Sequence, residues 1–146
     1  MKTWIAIIAL AFANVTAAAE YVYASAGGAV TVFRVAADGR LSLVQKLELE
    51  GAGPQGLSPD QRYLYVSAKI GKKPAIATCK LLGNALMELL RVDPVNLRPG
   101  YLRTDSGGRF LAGNHYPAGK VSLWKLREGV FEGETLQELE LEQKVH

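Results

Sequence analysis

Cysteine is almost missing from this 146-residue chain: Cys79 is alone, so no intrachain disulfide can staple it. Histidine is nearly as scarce, with only His115 and His146. No CxxC, HExxH, GxSxG, phosphate-loop or calcium-loop spacing occurs. The chain therefore offers no motif for a metal or organic cofactor, and none is expected. Neither charge sign dominates, with 17 Lys and Arg against 14 Asp and Glu, and the basic residues are scattered. That distribution gives no basic stripe of the kind that binds nucleic acid. Beyond residue 20 there is no convincing helical periodicity, and no apolar run approaches the ~20 residues that cross a bilayer. Apolar residues, by contrast, are plentiful at 49%, with 15 Gly and 6 Pro, which is the composition of a folded protein rather than a disordered one.

The first residues have their own character. Lys2 is followed by the uncharged run Trp4–Ala13 and then by the small residues Ala17-Ala18-Ala19. A short positive region, an apolar core and a small-residue cleavage site make residues 1–19 a secretory signal peptide, with Glu20 as the first mature residue. The expected location is periplasmic or extracellular, with no membrane span once the signal is removed. A membrane anchor is disfavoured because the apolar run is too short.

The mature chain repeats. Tyr21-Val22-Tyr23-Ala24-Ser25, Tyr63-Leu64-Tyr65-Val66-Ser67 and Phe110-Leu111-Ala112-Gly113-Asn114 begin 42 and then 47 residues apart. Each is followed by a second apolar–polar alternating segment, such as Val30–Val35 or Val121–Leu126. Alternation of period two marks strands with one face buried. Turn residues punctuate them: Ala37-Asp38-Gly39, Ser58-Pro59-Asp60, Gly83-Asn84, Ser106-Gly107-Gly108 and Arg127-Glu128-Gly129. The Leu81–Leu90 run has helix propensity, but its place in the repeat makes Ala85–Leu90 a strand matching Leu41–Leu47. Pro54–Tyr63 and Pro99–Phe110 add a short inner strand, an acidic turn and a basic–aromatic pair to the second and third units.

A period of ~40–50 residues built of four strands is that of a β-propeller blade. The expected fold is all-β, with blades of four antiparallel strands: blade 1 over about 20–50, blade 2 over 51–95 and blade 3 over 96–143. Blade 1 lacks its inner strand, so residues 20–146 form a partial propeller of about two and three-quarter blades. Propellers close with roughly 4–8 blades, because each sheet buries both faces against neighbours. A chain this short is expected to leave an apolar face bare at each end. Either the functional unit is longer or copies of the chain self-associate through those blade faces.

The stretches YVYASAGGAVTVFRVAADGRLSLVQ, GPQGLSPDQRYLYVS, PGYLRTDSGGRFLAGNHYPAGKVSLWKL and QKVH together resemble the N-terminal part of the β-propeller lactonase family, of the 6-phosphogluconolactonase and carboxymuconate cyclase type. The resemblance covers essentially all of residues 20–146 and implies a seven-bladed ring of which this sequence is under half. It also implies a small-molecule lactone as partner and ring-ester hydrolysis as activity. Export argues against a phosphorylated cytoplasmic substrate. The alternatives are a non-catalytic exported binding propeller and an inactive truncated product.

Lactone hydrolysis needs a base for water and donors for the carbonyl oxyanion, and a phosphorylated lactone needs Lys or Arg in addition. His146 matches, by resemblance, a family histidine at the start of the fourth blade's inner strand, and is the candidate catalytic base; the alternative is an exposed terminal histidine. Tyr116 matches a family aromatic in the loop after Phe110–Asn114, whereas its neighbour His115 has no clear counterpart. The pair is expected to line a polar pocket or to pack on its own blade. Lys69 lies where relatives carry a basic residue, beside Lys72 and Lys73. Lys120 and Lys144 are further cations able to face an anionic substrate, or simply solvated charges. Arg62 and Arg109, with Asp60 and Asp105, recur at matching positions and read as turn structure. Glu48, Glu50, Glu138, Glu140 and Glu142 read as solvent-facing.

Overall fold

The computed structural model describes residues 19–141. Residues 1–18, where a signal peptide is expected, together with Glu142, Lys144 and His146, lie outside the described residues. Eleven strands follow one another: β1 (Glu20–Ala26), β2 (Ala29–Val35), β3 (Leu41–Glu48), β4 (Gln55–Leu57), β5 (Tyr63–Ile70), β6 (Lys73–Leu81), β7 (Met87–Pro94), β8 (Tyr101–Thr104), β9 (Phe110–His115), β10 (Lys120–Arg127) and β11 (Val130–Glu140). They form three antiparallel meanders: β1-β2-β3, β4-β5-β6-β7 and β8-β9-β10-β11. These are propeller blades, and among the described residues the first has no inner strand, as its sequence implies.

The sheets repeat even in their irregularities. Pairing of the third strand with the outer strand slips at Val32/Phe33, at Thr78/Cys79 and at Leu123/Trp124, the same repeat position each time. A bulge there increases the local twist in every blade. The outer strand of blade 2 starts at Met87 rather than Ala85. Ala85 adopts φ +64° in the turn closed by its amide on the Leu82 carbonyl at 2.9 Å, so Ala85 is spent on the turn and the strand runs on to Pro94.

Two apolar layers lie between the blades. Val30 and Val32 of blade 1 meet Leu64, Val66, Ala68, Ala77 and Cys79 of blade 2. On its other face blade 2 sends Tyr65 and Ile76 against Leu102, Leu111, Trp124 and Phe131 of blade 3. Burial of this apolar surface is the main term holding sheet to sheet, at roughly 25 cal/mol per Å². The second tyrosine of the repeat ties each pair together. Tyr23 donates to the Ala85 carbonyl of blade 2 at 3.1 Å, and Tyr65 donates to the Gly129 carbonyl of blade 3 at 2.6 Å. Burial raises the Tyr65 phenol well above the ordinary tyrosine range, so the hydroxyl stays a donor at all working pH.

The outward faces of blades 1 and 3 are apolar and uncovered among the described residues. Val22, Phe33 and Leu43 form one cross-strand row on blade 1, and Tyr101, Asn114, Val121 and Leu139 form one row on blade 3, apolar but for Asn114. Leu43 is 65% exposed and Tyr101 54%.

Candidate functional site: the crossover end of the blades

The meander topology puts all crossovers at one end of the blades. Residues 49–54 lead from blade 1 into blade 2, and 95–100 from blade 2 into blade 3. The hairpins β1–β2, β5–β6 and β9–β10 close at the same end. The remaining turns lie at the opposite end. Each crossover extends the ladder of the blade it enters: the Gly53 amide donates to the Ser67 carbonyl (2.9 Å), Lys69 to Glu50 (2.8 Å) and Gly100 to Asn114 (2.8 Å).

Four of the sequence-predicted residues reach this end. Lys69 lies on the last turnward residues of β5 rather than in a loop, and it is exposed. Tyr116 opens a single 3₁₀ turn, Tyr116–Ala118, capped by Gly119 at φ +61°, and is 88% exposed. Lys120 starts β10, where Glu138 at 3.0 Å and Glu140 at 3.2 Å hold its ammonium. Those partners, Glu138 first, raise its pKa. An anionic ligand at Lys120 must displace them, so the solvent-facing glutamates of the outer strand neutralise this lysine instead of standing alone. His146 lies outside the described residues.

His115 is not a loop residue. It ends β9, on the same face as Leu111 and Gly113, and is 2% exposed at the blade 2–blade 3 layer. Its Nδ1 is 3.0 Å from the Arg98 carbonyl and its Nε2 is 2.8 Å from Ser122 Oγ. A carbonyl can only accept, so Nδ1 carries a proton, and in the neutral ring Nε2 accepts from the Ser122 hydroxyl. The ring also stands edge-on to Trp124 at 6.0 Å. His115 is thus an anchor for the second crossover.

That crossover brings in a residue the sequence reasoning missed. Arg98 reaches back to the first crossover, where Nη2 donates to the Gly51 carbonyl at 2.9 Å. It occupies the repeat position of Gly53, one residue before the matching prolines Pro54 and Pro99. That Gly-to-Arg change was the available signal. Gly51 and Gly53 leave room for the cations. A Cβ on Gly51 would fall 2.7 Å from Lys69 Cγ, and a Cβ on Gly53 would fall 3.0 Å from Arg98 Nη2.

Charge pairing differs among the cations of the two ends. Arg40, Arg62, Arg109 and Arg127, at the turn end, each meet a carboxylate. Lys69, Lys72, Lys73 and Arg98, at the crossover end, meet none among the described residues. Glu50, which precedes Gly51, accepts instead from the Gly71 amide at 3.2 Å. A groove of about 380 Å³ at the turn end is lined by Asp60, Arg62, Tyr63, Arg109 and Glu128. Its arginines are already matched to Asp60 and Asp105, so this groove offers an anion no free arginine. Among the described residues no group of His, Cys, Asp and Glu is arranged to hold a metal ion, and no helix is long and apolar enough to cross a membrane.

Comparison with known proteins agrees with this architecture. The family model "Lactonase, 7-bladed beta-propeller" matches residues 23–144. The 6-phosphogluconolactonase of Cronobacter sakazakii is 32% identical over 112 residues, covering 76% of this chain and 33% of the relative. That of Enterobacter sp. (strain 638) is 30% identical over 105 residues, covering 69% and 30%. A solved Bacteroides fragilis structure superposes with TM-score 0.68 at 22% identity, covering 79% of this chain and 34% of that one. A Xanthomonas campestris gluconolactonase gives TM-score 0.54 at 20% identity, covering 78% and 36%. These solved structures speak to the fold alone. The chain spans about a third of the length of the curated relatives it matches. With a family match across nearly all of its blades, the chain belongs to the seven-bladed β-propeller lactonase family.

Proposed function

We propose that these blades contribute the crossover-end wall of a site that opens a sugar lactone by adding water to its ring ester. The observation that carries this reading is the set of unpaired cations at that end, Lys69 and Arg98 foremost, on blades of a lactonase family. Lactone opening builds negative charge on the carbonyl oxygen as water adds, and it releases the ring oxygen as an alcohol. Cations and fixed N–H donors with no carboxylate partner suit that charge. Tyr116, almost fully exposed, offers an apolar ring and a hydroxyl to a sugar. His146 is the proposed base that takes the proton from water. Relatives named 6-phosphogluconolactonase make that ester the first substrate to try.

The test is acid release by the complete gene product with 6-phosphogluconolactone and with unphosphorylated gluconolactone. Ring opening above the spontaneous rate is expected, with a loss of at least about a hundredfold in His146→Ala. Rates equal to the protein-free control with every lactone sink the reading, and full turnover in the variant removes His146 from it.

A second reading is an exported propeller that binds a lactone or sugar acid without turnover. The leader-like residues Lys2–Ala19 favour it, since export takes the chain away from phosphorylated intermediates. Detection of the mature form beginning at Glu20 outside the cytoplasm supports export, and retention of residues 1–19 on a cytoplasmic protein counts against it.

A further inference from the structure

We propose that Arg98 and Lys69 together hold an anionic group of the ligand above the Gly51–Gly53 stretch, with His115 as the positioning residue for Arg98. The inference deepens the lactone reading, and rests on it for the identity of the ligand but not for the existence of the anion site.

Arg98 has no equivalent in the preceding crossover, where the same position is Gly53. Its backbone is pinned by the His115 Nδ1–H donated to its carbonyl at 3.0 Å. The buried Pro99 follows, and then the Gly100 amide bonded to Asn114 at 2.8 Å. From this pinned base the side chain crosses to the neighbouring blade's crossover. One guanidinium nitrogen donates to the Gly51 carbonyl at 2.9 Å. The fork carries five N–H groups, and the others have no partner among the described residues. Among the described residues no carboxylate offsets the Arg98 charge.

Lys69 comes to the same place from β5. Its stem lies against Gly51, a glycine at φ +66°, where a Cβ would sit 2.7 Å from Lys69 Cγ. Gly53 in turn leaves the space beside the guanidinium, where a Cβ would sit 3.0 Å from Nη2. Two bare Cα positions therefore floor two cations that come from different blades. Neither makes a salt bridge among the described residues, so an oxyanion bound between them gains from both. A phosphate and a carboxylate share this chemistry.

The experiment is calorimetric titration of the full chain with inorganic phosphate, gluconate and 6-phosphogluconate. Saturable binding of at least one is expected, and the order of affinities tells phosphate from carboxylate. Arg98→Ala should weaken it about tenfold or more, with partial recovery in Arg98→Lys, because one charge returns without the fork. Gly53→Ala should produce a similar loss with Arg98 still present. His115→Asn, whose amide can replace the Nδ1–H donor, should bind more tightly than His115→Ala when both melt cooperatively. Equal affinity in Arg98→Ala and the parent, or no saturable anion binding by the parent, overturns the proposal. Anion binding that depends on Arg98 without any lactone opening leaves this site standing and removes the lactonase reading. Lactone opening with KM unchanged in Arg98→Ala does the reverse.

Discussion

The two ends of the blades use similar residues in opposite ways. At the turn end, Asp60 accepts from the Ser58 hydroxyl at 2.7 Å and pairs with Arg62 at 2.6 Å. In the next blade Asp105 accepts from the Arg109 and Phe110 amides at 2.7 and 2.8 Å. The device is copied, and its charges cancel where they stand. At the crossover end the equivalent positions diverge, Gly53 against Arg98, and while Lys120 is held by Glu138 and Glu140, Lys69 and Arg98 have no carboxylate partner among the described residues. A repeat copies what every blade needs in order to fold. Where it stops copying, and leaves charge unmatched, the residues answer to something other than folding.

The largest test of that contrast is one substitution made at both ends. Gly129, in a turn of blade 3, has φ +82°, and a Cβ there would lie 2.5 Å from the Tyr63 ring, packed between blades. Gly129→Ala combines left-handed strain with a collision against the half-buried Tyr63 ring. A loss of about 3 kcal/mol or more in urea denaturation is expected. Gly51→Ala meets only the stem of Lys69, which is exposed and can move. Its cost should stay near about 1 kcal/mol, while anion affinity falls. A Gly51 variant as unstable as the Gly129 variant would erase the distinction between a folding end and a binding end.

The tyrosine ties come next in size. Tyr65→Phe strands the Gly129 carbonyl in the blade 2–blade 3 layer and should cost about 1–3 kcal/mol. Tyr23→Phe removes the matching bond to Ala85 from a half-buried position, where water can replace it, and should cost under about 1 kcal/mol. Equal losses would mean that the two blade interfaces are sealed alike despite the difference in burial.

Much of this was legible in the sequence because the physics behind it is periodic. The Tyr-x-Tyr pattern, the alternating strands and the Ser-Pro-Asp and Asp-Ser-Gly-Gly-Arg turns recur, and so betray the blades and the missing inner strand. The residues that break the period were misplaced or missed. His115 looked like a loop residue because it is polar and follows Asn114. Its parity with Leu111 and Gly113 along β9 was the better guide, and its polarity is satisfied by a carbonyl and a hydroxyl that sequence does not reveal. Lys120 looked available because its carboxylate partners lie on another strand, in a register only the pairing of β10 with β11 defines. Arg98 was missed because what singles it out is a contact with Gly51, 47 residues earlier, that only the fold brings about.

The smallest expected effect is acid sensitivity of the turn end. Hydrogen bonds from Ser58 and then Arg62 hold the Asp60 carboxyl down to about 2. Asp105 is lowered as well, because amide bonds from Phe110, Arg109 and Gly107 outweigh its burial, which acts the other way. A carboxylate with a depressed folded pKa contributes stability above its unfolded value, near 3.8, and loses that contribution as pH falls through its folded value. The window is therefore about pH 4 down to about pH 2. The amount should be modest, since the Asp60 side chain is 47% exposed and salt and water screen its pair with Arg62. Asp60→Asn removes the ionisation. The urea midpoint of the parent should exceed that of the variant at neutral pH and converge on it as the pH approaches 2, with the gap narrowing in high salt. A gap that persists unchanged at the lowest pH would assign Asp60's contribution to hydrogen-bond geometry alone, and would leave the charge cancellation at this end without energetic consequence.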